Sequence, residues 1–238
     1  PKPPIACLVW GDPHIWAFGS SIAYRFVGWC WHTLVTDIGC PGVGDNQFEI
    51  LGGFKQLKPG SEKQRLNQIR IRFKVASGMF IQFDLDQGPT ASYTDDYGLQ
   101  YNLTDADYPF TRHDITVDKT YHPHTDFGND FAHAAEALTL QFKPDDMFVR
   151  WDGIRRAKIT LPPAMHGHVC GMCGPIEDFT GDMLIGPHDN SVDPSSHCGG
   201  YAAGLPQHSL TQYTQEWVDS WYIRQPDEDE DCLADCMG

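Results

Sequence analysis

The sequence predicts an all-β, disulfide-tied fold with long loops and a short C-terminal helix. Three observations carry that expectation: short apolar runs at close spacing, dense turn residues (23 Gly and 17 Pro in 238 residues), and eight cysteines in two groups. Many short strands between turn signals point to an all-β chain rather than an alternating α/β one. At 41% hydrophobic and 21% charged, the composition is globular and supports a sizeable core.

Residues 23–27 and 29–36 read as two strands broken at Gly28. Further strands are expected at 48–51, 68–75, 79–85, 98–103, 114–117, 138–142, 147–151 and 157–161. Ala76-Ser77-Gly78, Asp86-Gln87-Gly88-Pro89 and Asp152-Gly153 supply turns between them. In 68–75, Arg70 and Arg72 alternate with Ile69 and Ile71, which suits a half-buried strand with one solvated face. Residues 79–85 alternate less cleanly, as a strand buried on both sides does. Residues 120–136 and 174–208 are loop-like, and Cys198 is available to tie the second loop. A helix is expected near 209–222, capped by Ser209, with Leu210, Tyr213, Trp217 and Trp221 on one packing stripe.

The formal charge is −15, and it is uneven. Residues 1–119 carry 11 basic and 13 acidic side chains, whereas 120–238 carry 6 and 19. Part of the second excess is the tail Asp227-Glu228-Asp229-Glu230-Asp231, a solvated terminus. Such an acidic chain lacks the positive footprint that nucleic-acid binding requires. No apolar run has the length of a membrane helix. Pro1-Lys2-Pro3-Pro4 does not read as a signal peptide, which a mature chain or an excised fragment would also lack.

Cys7, Cys30 and Cys40 form the N-terminal group; Cys170, Cys173, Cys198, Cys232 and Cys236 form the C-terminal group. Disulfides in an oxidising compartment suit an even count. A zinc site built on Cys170-Gly-Met-Cys173 with Cys232 and Cys236, or a redox dithiol at Cys170 and Cys173, are the alternatives. Gly171, Gly174 and Pro175 argue against the helix a redox motif wants.

Cys7-Leu8-Val9-Trp10-Gly11-Asp12-Pro13-His14 resembles the opening of a von Willebrand factor type D domain. Phe18, Tyr24-Arg25-Phe26 and Gly28-Trp29-Cys30 continue that pattern, as do Cys170-Gly171-Met172-Cys173-Gly174, Trp217 and Cys232. Members of that family are modules of secreted mucins, clotting proteins, egg lipoproteins, tectorin-like matrix proteins and some secreted luciferases. The resemblance implies a secreted, extracellular β-sandwich-like module. It places the type D domain at 1–200 and a C-terminal extension, with the helix and the acidic tail, at 201–238. It also implies the pairs Cys7–Cys173, Cys30–Cys232 and Cys40–Cys170, which leaves Cys198 with Cys236.

The family often carries calcium. Here Glu177, Asp178 and Asp182 follow the late cysteine element, with Asp182 the best match to the family's final Asp. Gly19-Ser20-Ser21 follows Phe18 where an Asp is expected, and Pro175 replaces an Asn. Three carboxylates plus backbone carbonyls could still meet calcium's six to eight oxygens. Some relatives self-cleave at the Asp-Pro bond, here Asp12-Pro13: the Asp carboxylate attacks its own carbonyl carbon, and His14 is placed to influence the proton transfer.

From the residues alone, His122-Pro-His124 and His166-Gly-His168 form a second metal candidate, because an i,i+2 pair on a strand aims both rings to one face. Asp126 and Asp130 could add oxygens to the first pair. Protonating all 11 histidines would move the formal charge from −15 to −4, which would favour self-association in acid. Asn102-Leu103-Thr104 is a glycosylation sequon. Gly-x-Ser-x-Gly, the P-loop and His-Glu-x-x-His are absent, and no catalytic residues are assigned. The expected function is assembly of an extracellular matrix, gel or adhesive protein through other extracellular domains or a second copy. A metal-ion-binding module and the non-catalytic part of a secreted enzyme such as a luciferase are the alternatives.

Overall fold

The computed structural model describes residues 5–11, 13–18, 23–25, 30–38, 40, 47–58, 64–120, 136–143, 146–165, 168–174, 221 and 223. Among them the chain forms two antiparallel sheets. The strands are β1 (Ile5–Trp10), β2 (His14–Trp16), β3 (Ala23–Arg25), β4 (Cys30–Thr36), β5 (Phe48–Gln56), β6 (Gln64–Lys74) and β7 (Phe80–Asp86). They continue as β8 (Thr90–Thr94), β9 (Gln100–Leu103), β10 (Phe110–Arg112), β11 (Ile115–Thr120), β12 (Ala137–Phe142), β13 (Met147–Trp151) and β14 (Ala157–Leu161). One sheet has eight strands in the order β10-β11-β12-β13-β14-β1-β2-β3. The other has six in sequential order from β4 to β9. The expected helix near 209–222 lies outside the described residues except for Trp221, which sits in a turn.

The core lies between the sheets. Alternation on β6 sends Ile69, Ile71 and Phe73 into it, and β7 contributes Ile81, Phe83 and Leu85. Phe73 meets Phe142 of β12 with ring centroids 5.0 Å apart, and Tyr93 of β8 meets Phe110 of β10 at 5.3 Å. Each fully buried side chain of this kind contributes about 2 kcal/mol relative to exposure. Trp151 is fully buried, and its indole N–H donates to the Asp86 carbonyl (2.7 Å).

The turns named in the sequence also join the sheets. Gly88 N–H donates to the Gly153 carbonyl (2.8 Å), and the Gln87 amide donates to the Ile154 carbonyl (2.9 Å). Asp152 Oδ1 accepts from the backbone N–H groups of Ile154, Arg155 and Arg156, which shapes the β13–β14 loop. Gly153 has φ +69°, and a Cβ there would lie 2.2 Å from Pro89 N. Only glycine fits that approach.

The solvated arginine face expected on β6 is corrected at Arg70. Arg70 lies opposite Asp84 on β7, and the two form a buried ion pair at 2.7 Å. The Arg70 guanidinium also lies 4.5 Å from the centroid of the Trp31 ring. Alternation gave the direction of the side chain correctly; it carries no information on whether that face meets water. Arg72, one pleat on, is partly exposed and pairs with Glu49 at 3.2 Å.

Candidate functional site

β4 is the first strand of its sheet, so one side of its backbone lacks a strand partner. That edge is instead sealed by two distant segments. Cys170 exchanges both backbone bonds with Thr36 at 2.9 Å. Met172 N–H donates to the Thr33 carbonyl (3.0 Å), and Cys173 N–H donates to the Leu34 carbonyl (2.9 Å). Farther along, Thr33 N–H donates to the Trp221 carbonyl and Ile223 N–H to the Trp31 carbonyl, both at 2.9 Å. Every residue of β4 is buried as a result. An exposed strand edge is a template for pairing with another chain, and this one is closed by the chain itself.

Two disulfides lock that seal. Cys7–Cys173 connects β1 of the eight-stranded sheet to it, and Cys40–Cys170 connects the segment after β4. These are two of the pairs that the resemblance implies, and they bridge 166 and 130 residues of sequence. Phe18 N–H donates to the Cys173 carbonyl (2.9 Å), which adds the segment after β2. Gly171 has φ +126°, and a Cβ there would lie 2.5 Å from the Leu34 carbonyl oxygen. The close approach of the Cys-Gly-Met-Cys loop to β4 therefore depends on glycine.

Two polar groups are buried beside the clasp. Asp37 accepts backbone bonds from Gln47 and Phe48, both at 3.0 Å, and so ties the end of β4 to the start of β5. His32 is 2% exposed and packs edge-on to Phe54 with centroids 5.9 Å apart. Burial lowers its pKa to about 4, against a smaller raising effect of the hydrogen bond its ring N–H donates to the Cys30 backbone carbonyl. His32 is therefore neutral in the fold at any pH near neutrality.

The other sequence-derived residues are placed as follows. Glu177, Asp178 and Asp182 lie outside the described residues, as do Asp12, His122, His124, His166, Cys198, Cys232 and Cys236. Cys30 is disulfide-bonded, and its partner is also outside the described residues. His168 sits in a bend after the short 3-10 turn Pro163–Met165, so the strand geometry expected for the His166 and His168 pair is absent at that residue. His14 stacks on Trp10 across the β1–β2 hairpin with centroids 5.5 Å apart; Pro13, preceding it, is buried. Asn102 is exposed on β9. Among the described residues no group of three metal-binding side chains converges, and no helix is long and apolar enough to cross a membrane.

Sequence reasoning found the cysteines but missed the part of Gly171, Met172 and Trp221 in closing β4. Gly171 was visible as the glycine inside Cys-Gly-Met-Cys; the Trp221 carbonyl left no signal in the sequence. A family model described as the von Willebrand factor type D domain matches residues 7–188. The chain is also similar to the IgGFc-binding protein of Homo sapiens, 27% identical over 236 residues. That match covers 98% of this chain and 4% of the relative, so the chain spans a small fraction of the relative's length.

Proposed function

Since this chain belongs to the von Willebrand factor type D domain family, we propose that it is a secreted, extracellular interaction module that mediates assembly of a matrix, gel or adhesive protein. The observation that carries this reading is the clasp. Two disulfides of long sequence span hold both sheets and close one edge against unwanted pairing. A fold of this kind is suited to the oxidising space outside the cell and to repeated use as a rigid part. Its partners are other extracellular domains or a second copy.

Calcium is the finer part of the proposal. Glu177, Asp178 and Asp182 begin three residues after Gly174, where the clasp ends. Phe18 is hydrogen-bonded to Cys173, so the segments carrying the acids and Gly19-Ser20-Ser21 depart from neighbouring points. The second segment brings hydroxyls and carbonyls but no carboxylate, which makes the acids the main ligands. Elemental analysis of protein kept away from chelators tests this. One calcium per chain, lost in Asp182→Ala, is expected; no bound calcium overturns it.

Light-scattering mass of the oxidised chain at pH 7.5 and 5.5, with and without calcium, tests assembly. An increase in mass on acidification is expected, because protonated histidines reduce the self-repulsion of an acidic chain. A mass that stays monomeric throughout overturns self-assembly. Immobilised IgG Fc is the first heterologous partner to try, given the name of the relative; a chain that neither assembles nor binds extracellular partners overturns the interaction reading.

A further inference from the structure

A second site lies far from the clasp in the fold, where β9 and β10, the last strands of the two sheets, come together. Tyr93, Tyr101 and Phe110 line a cleft of about 370 Å³ together with Asp95, Asp107 and Arg112. The rings form a continuous aromatic surface: Tyr93 stacks with Tyr101 at 6.2 Å and meets Phe110 at 5.3 Å. Tyr93 is 5% exposed and Tyr101 48% exposed, so one ring is held by the core and the other is offered to solvent. The Tyr101 hydroxyl donates to Asp95 Oδ2 (3.4 Å), and both residues line the same cleft.

The polar groups are held in place by the backbone. Asp95 Oδ1 accepts from Tyr97 N–H (3.0 Å) and Leu99 N–H (2.9 Å). Asp107 Oδ2 accepts from the Thr104 N–H and hydroxyl, both at 2.7 Å. A carboxylate has about four acceptor positions, so both acids keep capacity for a ligand. Arg112 supplies donors, with its guanidinium 6.0 Å from the Phe110 ring centroid.

From this arrangement we propose that the β9–β10 cleft is a binding site for a neutral saccharide. An aromatic face accepts the C–H side of a sugar ring, and flanking acceptors and donors suit its hydroxyls. Charge selects against the other ligands. The two carboxylates oppose an anion. Arg112 already occupies the Phe110 face that would hold a cation, and it repels one. A neutral polyhydroxyl ligand meets every group without an unpaired charge. The proposal does not depend on the assembly reading.

The test uses the oxidised full chain from a host that adds no N-glycans, so that no sugar on Asn102 competes. An array of neutral, sialylated and sulfated oligosaccharides is probed, followed by titration of the best neutral hit. Binding of neutral glycans is expected, with affinity at least tenfold lower in Tyr101→Ala and in Arg112→Ala. Both side chains lie at the surface, and unchanged thermal unfolding confirms that the variants are folded. No neutral glycan bound, a preference for anionic glycans, or binding indifferent to both substitutions in folded protein overturns the proposal.

Discussion

The six-stranded sheet ends in two unlike edges. At β4 the backbone is sealed by residues 170–173, 221 and 223, and two disulfides hold the region together. At β9 the only strand neighbour is β8 among the described residues, and Tyr97, Leu99 and Tyr101 are exposed there. The difference separates two tasks. The sealed edge contributes stability and prevents the chain from pairing with strangers; the open edge leaves aromatic groups free to meet a ligand or partner. Substitutions at the first should therefore unfold the molecule, and substitutions at the second should change what it binds.

The largest effect belongs to the disulfides. Cys7–Cys173 closes a loop of 166 residues of sequence separation, and on the chain-entropy model such a bridge is worth about 5 kcal/mol. Replacing both cysteines by serine should lower the denaturant midpoint steeply or abolish folding. A double variant as stable as the parent would show that the backbone seal on β4 holds without its covalent lock.

Next comes glycine. Gly171→Ala combines a left-handed backbone with a 2.5 Å approach to the Leu34 carbonyl, and a loss of about 3 kcal/mol is expected. Gly78 has φ +81° but open space around its Cβ position, so Gly78→Ala should cost only about 1 kcal/mol. Urea unfolding of the two variants separates backbone strain from collision. Equal losses would mean that the loop can move away from β4 and that the seal is soft.

Acid gives a smaller, graded effect at the same edge. His32 has a pKa of about 4 in the fold against 6.5 as an ordinary histidine. The unfolded chain takes up this proton first as pH falls, so the stability associated with neutral His32 is fully present above pH 6.5 and declines until about pH 4. At pH 5.5 the loss from this group is about 1 kcal/mol. His32→Phe should flatten that part of the pH dependence of urea unfolding. An unchanged slope would place the acid sensitivity elsewhere. With His32 as the sensor, assembly in acid has to form on a fold that this residue weakens, so the two pH effects oppose one another and are best measured on the same sample.

The sealed edge was partly legible in the sequence and the open cleft was not. Cysteines and glycines carry their requirements in their own chemistry, so the two cysteine groups and Cys-Gly-Met-Cys already pointed to a closed topology. Long β6 was also readable from its alternation, whereas β7 showed as an apolar run between two turns. β8 was missed because Thr90-Ala91-Ser92-Tyr93-Thr94 is short and only weakly apolar, and three-residue β2 and β10 gain their order from neighbours. Arg70 shows the same limit, since its burial depends on what covers the outer face and not on its own strand. The cleft needs Tyr93, Tyr101 and Phe110 from three strands on two sheets, and no local pattern brings them together.

The smallest stability effect should come from the open edge, and that smallness is the sharpest check of the contrast. Tyr97 is 86% exposed and Leu99 is 58% exposed, so little apolar area is lost from the core when either is changed. Their backbone N–H groups, not their side chains, hold the turn through Asp95. Tyr97→Ser with Leu99→Ser should therefore shift stability by about 0.5 kcal/mol or less, and the melting temperature by about 2 °C or less in a chain of this size. Asp95→Ala removes the carboxylate that accepts both N–H groups, and it should cost about 1–2 kcal/mol. A serine pair that destabilises as much as Asp95→Ala would mean that the exposed side chains are covered in solution, and that β9 is an occupied edge and not an open one.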